Sequence, residues 1–493
     1  MMERARPTAL SRRRLLKTVA GLTTLAAANA LIAACGNAAP PAAPASSGAA
    51  PASSGGAPAA AGAATTAPKP AAVAGAPAAS GGQDIQLNWW SHGAEEENKK
   101  RMIGTLIKNF EDKNPGVKVT MTWNQMPGIW QALQAAFTAD SGYPDIFWFS
   151  LDKRQWIDAG WVADLSSGIN WDNMQPWAKQ SATVNGPDGK PGVFFLVEYA
   201  TTTEIYYNKQ IFNDLGITAP ADGQFSEDAF LDVVKKITGK GLAAFANANG
   251  DRDYPGQIPL TQILLAKLGP DDYVKLWKGE VPWTDPRVVD SFNYFEAIAQ
   301  AKAFPSTFSS MTLSESHNYF HTQRKAGMFA VPSWYTSRAF VPPEKGGQPK
   351  DFQLGFLAYP GMKDGKGLKN KFLDAGGAHT VAAKSKYRDQ AIKVINGLTD
   401  LDWAADWVGA TGNLTAAKID PTKVKSDYQD YWDAYFKAQQ GYTALPNLGN
   451  ALYAKPGQIE VWTAVASQGM PPGLISAKDA IAKLDEGWKK NAN

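Results

Sequence analysis

The chain has 493 residues, 44% of them hydrophobic, and its 49 Lys and Arg stand against 46 Asp and Glu, a formal net charge of +3. That length and apolar content suffice for a sizeable core and point to two lobes. Residues 1–34 carry most of the excess positive charge, so the remainder is slightly acidic and offers no polybasic patch of the kind that binds nucleic acid. Cys35 is the only cysteine, which excludes disulfides, cysteine-ligated metals and a thiol nucleophile from everything that follows it.

The N-terminal residues predict export. Ser11-Arg12-Arg13-Arg14-Leu15-Leu16-Lys17 precedes an uncharged stretch from Thr18 to Ala34, which together form the basic and apolar regions of a secretory signal. The paired arginines look like a twin-arginine signal. Ile32-Ala33-Ala34-Cys35 resembles a lipobox, whose cysteine becomes the lipidated first residue. Lipid anchoring through Cys35 would place the protein outside the cytoplasm, on the membrane. From Gly36 to Gly82 the chain is almost wholly Ala, Pro, Ser, Gly and Thr, with Lys69 its only charge. Such a composition predicts a disordered linker with a reach of roughly 35–40 Å.

Alternating strands and helices follow. Ile85–Trp90 reads as a strand, and Met102, Ile103, Leu106, Ile107 and Phe110 recur at helical spacing. Val117–Trp123 alternates as a second strand after the Pro115-Gly116 turn, and Asp145–Phe149 is a third apolar run. Strand, helix, strand, helix implies parallel pairing and an α/β fold. Ser226 is a plausible cap for a helix burying Phe230, Val233, Val234 and Ile237. A further helix carries Val288, Val289, Phe292, Phe295 and Ile298. Ser476 and Asp479 open a last helix, with Ala480, Ile481, Leu484 and Trp488 inward.

Several segments, in order, carry a resemblance. They are Leu87-Asn88-Trp89-Trp90-Ser91-His92, Phe110-Glu111-Asp112-Lys113-Asn114-Pro115-Gly116, Gly142-Tyr143-Pro144-Asp145-Ile146-Phe147 and Tyr206-Tyr207-Asn208-Lys209. Gly327-Met328-Phe329, Ser333-Trp334 and Gly376-Gly377-Ala378-His379 complete the set. From about Asp84 to Trp488 the chain resembles extracellular solute-binding proteins of family one, the carbohydrate receptors of ABC importers, which include the maltose-binding proteins. The resemblance implies a two-lobe α/β fold with ligand in the cleft, joined by crossovers near Phe195–Thr202, Phe372–Ala378 and between Asn413 and Asn447. It places 84–197 and 375–420 in one lobe and 198–372 and 421–493 in the other. It also implies a monomer that hands a carbohydrate to the membrane permease of an importer, with no cofactor.

Sugars present hydroxyls around the ring and C–H bonds on its faces, so their sites combine aromatic platforms with planar hydrogen-bonding groups. Trp90, Ser91 and His92 follow the first strand, and Asn124 and Gln125 follow the second. Trp148 and Asp152 lie in a segment similar to the F-W-x-x-D-R stretch of maltose-binding proteins. It has one extra residue before the aspartate, and Lys153 stands for the arginine. Glu198 and Tyr199 fall on the first crossover, where Val197 replaces an expected proline. Arg252, Asp253 and Tyr254 occupy a loop of the second lobe, and Trp334 and Tyr335 follow Pro332, Trp334 being the best stacking platform. Gly376 and Gly377 would let backbone amides approach the ligand, and Trp462 lies near an aromatic position of the family. Trp403 and Trp407 read as core.

Two further patterns weigh against metal. His317 and His321 have the spacing of a zinc helix without the intervening glutamate. Asn247, Asn249, Asp251 and Asp253 alternate as in a calcium loop, but Arg252 takes the place of its glycine and no twelfth-position glutamate follows. Alternatives to a sugar receptor are a receptor for a polyol phosphate or peptide, for which only Arg252 and Arg338 supply positive charge, and an exported glycoside hydrolase using two carboxylates such as Asp152 and Glu198.

Overall fold

A computed structural model describes residues 84–94, 96–125, 128–150, 153–252, 254–449 and 452–491. Cys35, the export signal, the 36–82 tract, Asp152 and Asp253 lie outside the described residues. The strands are β1 (Ile85–His92), β2 (Val117–Asn124), β3 (Ile146–Phe149), β4 (Thr183–Asn185), β5 (Pro191–Val193), β6 (Leu196–Asn208), β7 (Ala243–Phe245), β8 (Ala326–Pro332), β9 (Leu354–Leu357), β10 (Asn370–Val381) and β11 (Thr443–Leu445).

β1 pairs in parallel with both β2 and β3, as strand–helix–strand alternation predicts. β4 and β5 form a separate hairpin. The main sheet runs β2-β1-β3-β10-β6-β8-β7, with β9 added to β6 and β11 to β10. Two long strands serve both halves. Residues 196–202 of β6 pair with β10, whereas 203–207 pair with β8. β10 likewise pairs with β3 through Ala378–Val381 and with β11 through Asn370–Phe372.

Hydrophobic residues collect on each side of these crossings. The first cluster joins Leu87, Trp89, Ile103, Leu133 and Phe147 to Val381, Ile395 and Trp407. The second joins Phe230, Val234, Phe245, Leu264, Phe292 and Phe295 to Trp462 and Trp488. The molecule is therefore a two-lobe α/β protein. The segment 421–493 does not sit wholly in the second lobe: Val424, Trp432 and Tyr435 belong to the first cluster, and Leu448 is the first of its buried residues in the second.

Local chemistry explains the helices that position the cleft. In Glu97–Lys113, Met102, Ile103, Leu106 and Ile107 are buried at helical spacing. Ser226 caps Glu227–Thr238 by accepting from the Ala229 N–H, and Phe230, Val233, Val234 and Ile237 face inward. Ser476 accepts from the Asp479 N–H and donates to its carboxylate, opening Ala477–Lys490. Among the described residues no helix is long and apolar enough to cross a membrane.

Candidate functional site

Parallel strands end on one side of their sheet, and ligands of open α/β sheets bind in the crevice beyond those ends. β1 and β2 end in register at His92 and Asn124, and Trp148 stands one residue before the end of β3. All three line a cavity of about 430 Å³, within the range of small-molecule sites. Tyr199 on β6, Gly376 on β10 and Asn413 beyond helix Leu401–Thr411 add the crossovers to its wall. Arg252, Tyr254, His317, Trp334 and Arg338 close it from the second lobe.

Aromatic rings form both walls. The His92 and Trp148 rings lie 3.9 Å apart, and Trp148 stacks at 4.6 Å on Trp130, over which the Lys153 ammonium lies 5.1 Å from the ring centre. Opposite, the Trp334 ring is 5.9 Å from that of His317. Three buried polar atoms on lining residues have no hydrogen-bond partner among the described residues: Trp148 Nε1, His317 Nε2 and Asn413 Oδ1. Buried polar atoms are nearly always paired, so these three keep hydrogen-bonding capacity inside the cavity. Burial lowers the pKa of His317 to about 3, which keeps its ring neutral, one nitrogen donating and the other accepting. Tyr254 remains a hydroxyl because burial raises its pKa to about 12.

The lobes also touch directly. Arg338 of the second donates to Glu96 of the first at 3.1 Å, with side-chain exposures of 44% and 16%. An ion pair this exposed contributes about 0–1 kcal/mol, enough to bias closure without locking it.

Beneath the cleft lies a buried charge cluster. Lys99 Nζ is 3.0 Å from Glu198 Oε2 and 3.2 Å from His92 Nδ1. The Trp89 indole N–H donates to His379 Nδ1, so the proton of the neutral ring sits on Nε2, which faces Glu198 Oε1 at 3.2 Å. Burial pushes the Glu198 pKa up, but Lys99 and His379 outweigh it and hold the carboxyl well below its usual range. Glu198 is thus a permanent anion supporting the cleft floor from below, with no exposed side-chain surface.

Among the residues expected from sequence, His92, Asn124, Gln125, Trp148, Tyr199, Tyr254, Trp334 and Gly376 line this cavity. Others turn away. Trp90 packs against the first-lobe cluster, and Ser91, on the opposite face of the strand from His92, is fully buried. Glu198 is the buried anion just described. Tyr335 is fully buried and hydrogen-bonded to His321 at 3.0 Å. Trp462 is fully buried, edge-on to Trp277 and stacked on Trp283, with its N–H on Gln257. The Tyr199 ring covers the glycine pair: a Cβ on Gly376 would meet it at 2.2 Å and one on Gly377 at 2.5 Å. These glycines therefore admit an aromatic ring against the backbone, and Gly377 is not a lining residue.

Arg252 and Arg338, expected only as charges for an anionic ligand, line the same cavity, and so do Glu96, His317 and Asn413, which are not among the expected ligand residues. His317 carries a signal in the His317/His321 spacing, but that spacing is a metal pattern lacking its glutamate and gives no hint of the cleft. His321 is instead engaged with Tyr335. The Asn247–Asp251 side chains bind backbone: Asn247 to Pro255 and Ala330, Asn249 to Ser467 and Gly256, and Asp251 to Leu313. Among the described residues no group of three or more His, Cys, Asp or Glu could hold a metal ion. A larger cavity of about 1050 Å³ runs between helices Glu97–Lys113 and Leu401–Thr411 toward Tyr428. None of its lining residues lies on a strand.

Comparison with known proteins agrees with this geometry. The family model described as bacterial extracellular solute-binding protein matches residues 93–405. A multiple sugar-binding protein of Streptococcus mutans serotype c (strain ATCC 700610 / UA159) is 24% identical over 332 residues, 65% of this chain and 74% of that protein. A structure from xylan utilization by the thermophilic bacterium Caldanaerobius polysaccharolyticus superimposes with a TM-score of 0.67 at 21% identity, covering 82% of this chain and 99% of the other. A chitin oligosaccharide binding protein gives 0.68 at 19% identity, covering 84% and 100%.

Proposed function

Because this chain belongs to the bacterial extracellular solute-binding proteins, we propose that it captures a carbohydrate, an oligosaccharide in particular, between its lobes and delivers it to the permease of an ABC-type importer. The observation that carries this reading is the cavity shared by both lobes, where Trp148, Tyr199, Tyr254 and Trp334 surround the unpartnered Trp148 Nε1, His317 Nε2 and Asn413 Oδ1. Rings suit the C–H faces of a sugar, and the orphaned atoms suit its hydroxyls. The sugar-binding name of the Streptococcus mutans relative and that of the chitin oligosaccharide binding protein support the same class. Closure around the ligand would be a hinge motion at β6 and β10.

The reading is of a receptor and not a hydrolase. Glu198 is committed to Lys99 and His379 and has no exposed side-chain surface, so it is no general acid for a glycosidic bond. The test is a calorimetric titration of the folded body with mono- and oligosaccharides, followed by a day of incubation with the tightest binder. Saturable one-to-one binding with the sugar recovered intact is expected. Absence of binding across the panel, or release of shorter sugars over many turnovers, would overturn the reading.

The same proposal anchors the protein through a lipid on Cys35. Full-length protein is expected in the membrane fraction after a salt wash, and the Cys35→Ser variant is expected to leave it. Retention of that variant on washed membranes would sink the lipid anchor.

A further inference from the structure

The three connections between the lobes meet at one carboxylate. Glu204 on β6 is 3% exposed, and its Oε1 accepts from Thr202 Oγ1 at 2.7 Å, from Lys371 Nζ on β10 at 2.9 Å and from the hydroxyl of Tyr435, on helix Gln429–Gln439, at 3.2 Å. Lys371 also donates to Gln439 of that helix. The other oxygen, Glu204 Oε2, is buried without a partner among the described residues.

Two more buried atoms share that condition: Nε2 of Gln262, on helix Ile258–Leu268, and the hydroxyl of Tyr359, just past β9. Glu204, Gln262 and Tyr359 all line one cavity of about 30 Å³. Burial, and then the nearby Glu204 charge, hold the Tyr359 pKa well above its ordinary value, so this group is a neutral hydroxyl. Residues carrying a carboxylate oxygen, an amide N–H and a hydroxyl without partners among the described residues thus line one space with Ala266, Phe356 and Leu357.

We infer that this cavity is the binding site of one ordered water molecule, which donates to Glu204 Oε2, accepts from the Gln262 amide and exchanges a hydrogen bond with the Tyr359 hydroxyl. Size and chemistry agree. The space exceeds the roughly 10–15 Å³ that a buried water requires, and such a water makes about three hydrogen bonds. A sugar does not fit, and the Lys371 ammonium on the same carboxylate repels a cation. The water ties the meeting point of the crossovers to the body of the second lobe, through the Gln262 helix and the residue beyond β9.

A crystal structure of the folded body, fine enough to show solvent, tests the site without any sugar. One water is expected within about 2.6–3.2 Å of Glu204 Oε2, Gln262 Nε2 and the Tyr359 hydroxyl. No density there, or density for another solute, would overturn the inference, whatever sugar the cleft takes. The Tyr359→Phe variant keeps the ring and removes one partner. It touches no cleft residue, and it is expected to lower the urea midpoint of unfolding while sugar affinity stays at the wild-type value, because all the partners of the water belong to the second lobe. A wild-type midpoint in that variant would overturn the role of the Tyr359 hydroxyl as a partner of the water.

Discussion

Replacing Trp334 by alanine is expected to weaken sugar binding by roughly ten- to several-hundredfold, at 1.4 kcal/mol per decade. The ring lines the cavity from the second lobe, 5.9 Å from His317, and is only partly buried. A sugar face laid on an indole gains about 0.5–1.5 kcal/mol beyond its area term, at about 25 cal/mol per Å² of apolar surface removed from water. Trp334 also packs on the small cluster of Phe329, Tyr335 and Ala339, so the variant should lose about 1 kcal/mol of stability, typical of a single substitution. A fully buried tryptophan would instead cost about 3–5 kcal/mol. Measuring the dissociation constant by calorimetry and the urea midpoint on the same variant separates the two roles. Lost stability with unchanged affinity would make Trp334 a packing residue.

The second large effect is expected at Glu198. Glu198→Gln leaves the Lys99 ammonium, 2% exposed, without its carboxylate. Breaking a buried pair from one side costs about 3–5 kcal/mol, whereas replacing both partners by apolar groups is often neutral. The single variant should therefore unfold at much lower urea, and Lys99→Met combined with Glu198→Leu should regain most of the loss. A double variant as weak as the single one would refute the pairing account. The cluster also sets a pH dependence. Glu198 has a lowered folded pKa, so its contribution is present above its unfolded value, near 4.5, and is lost as pH falls. Burial, reinforced at His92 by Lys99, lowers the pKa of His92 and His379; both must be neutral in the fold and oppose folding as pH drops below 6.5. All three act in the same direction. Wild-type stability is expected to fall below pH 6.5 through the two histidines and further below pH 4.5 through Glu198, and the double variant should lack the second fall.

The alternation and helical spacing visible in the chain determined the elements: the β1–β3 strands, the helix buried through Ile103 and Leu106, and the helices capped by Ser226 and Ser476. They are local, set by backbone periodicity and by side chains three or four residues away. Sequence also located the ends of the parallel strands, so His92, Asn124 and Trp148 could be named before any coordinates. What tertiary structure decided was which of two neighbouring side chains faces the cleft. Trp334 lines it while Tyr335, next in the chain, is sealed against His321; Trp462 is enclosed by Trp277 and Trp283, which come from another part of the chain. Glu198 looked like a sugar ligand because its partners are distant in sequence, Lys99 lying 99 residues before it. Its burial, and the meeting of His317, Asn413 and Arg338 with the first-lobe strand ends, depend on how the two lobes fold back on each other. Local periodicity carries no record of contacts between residues that far apart.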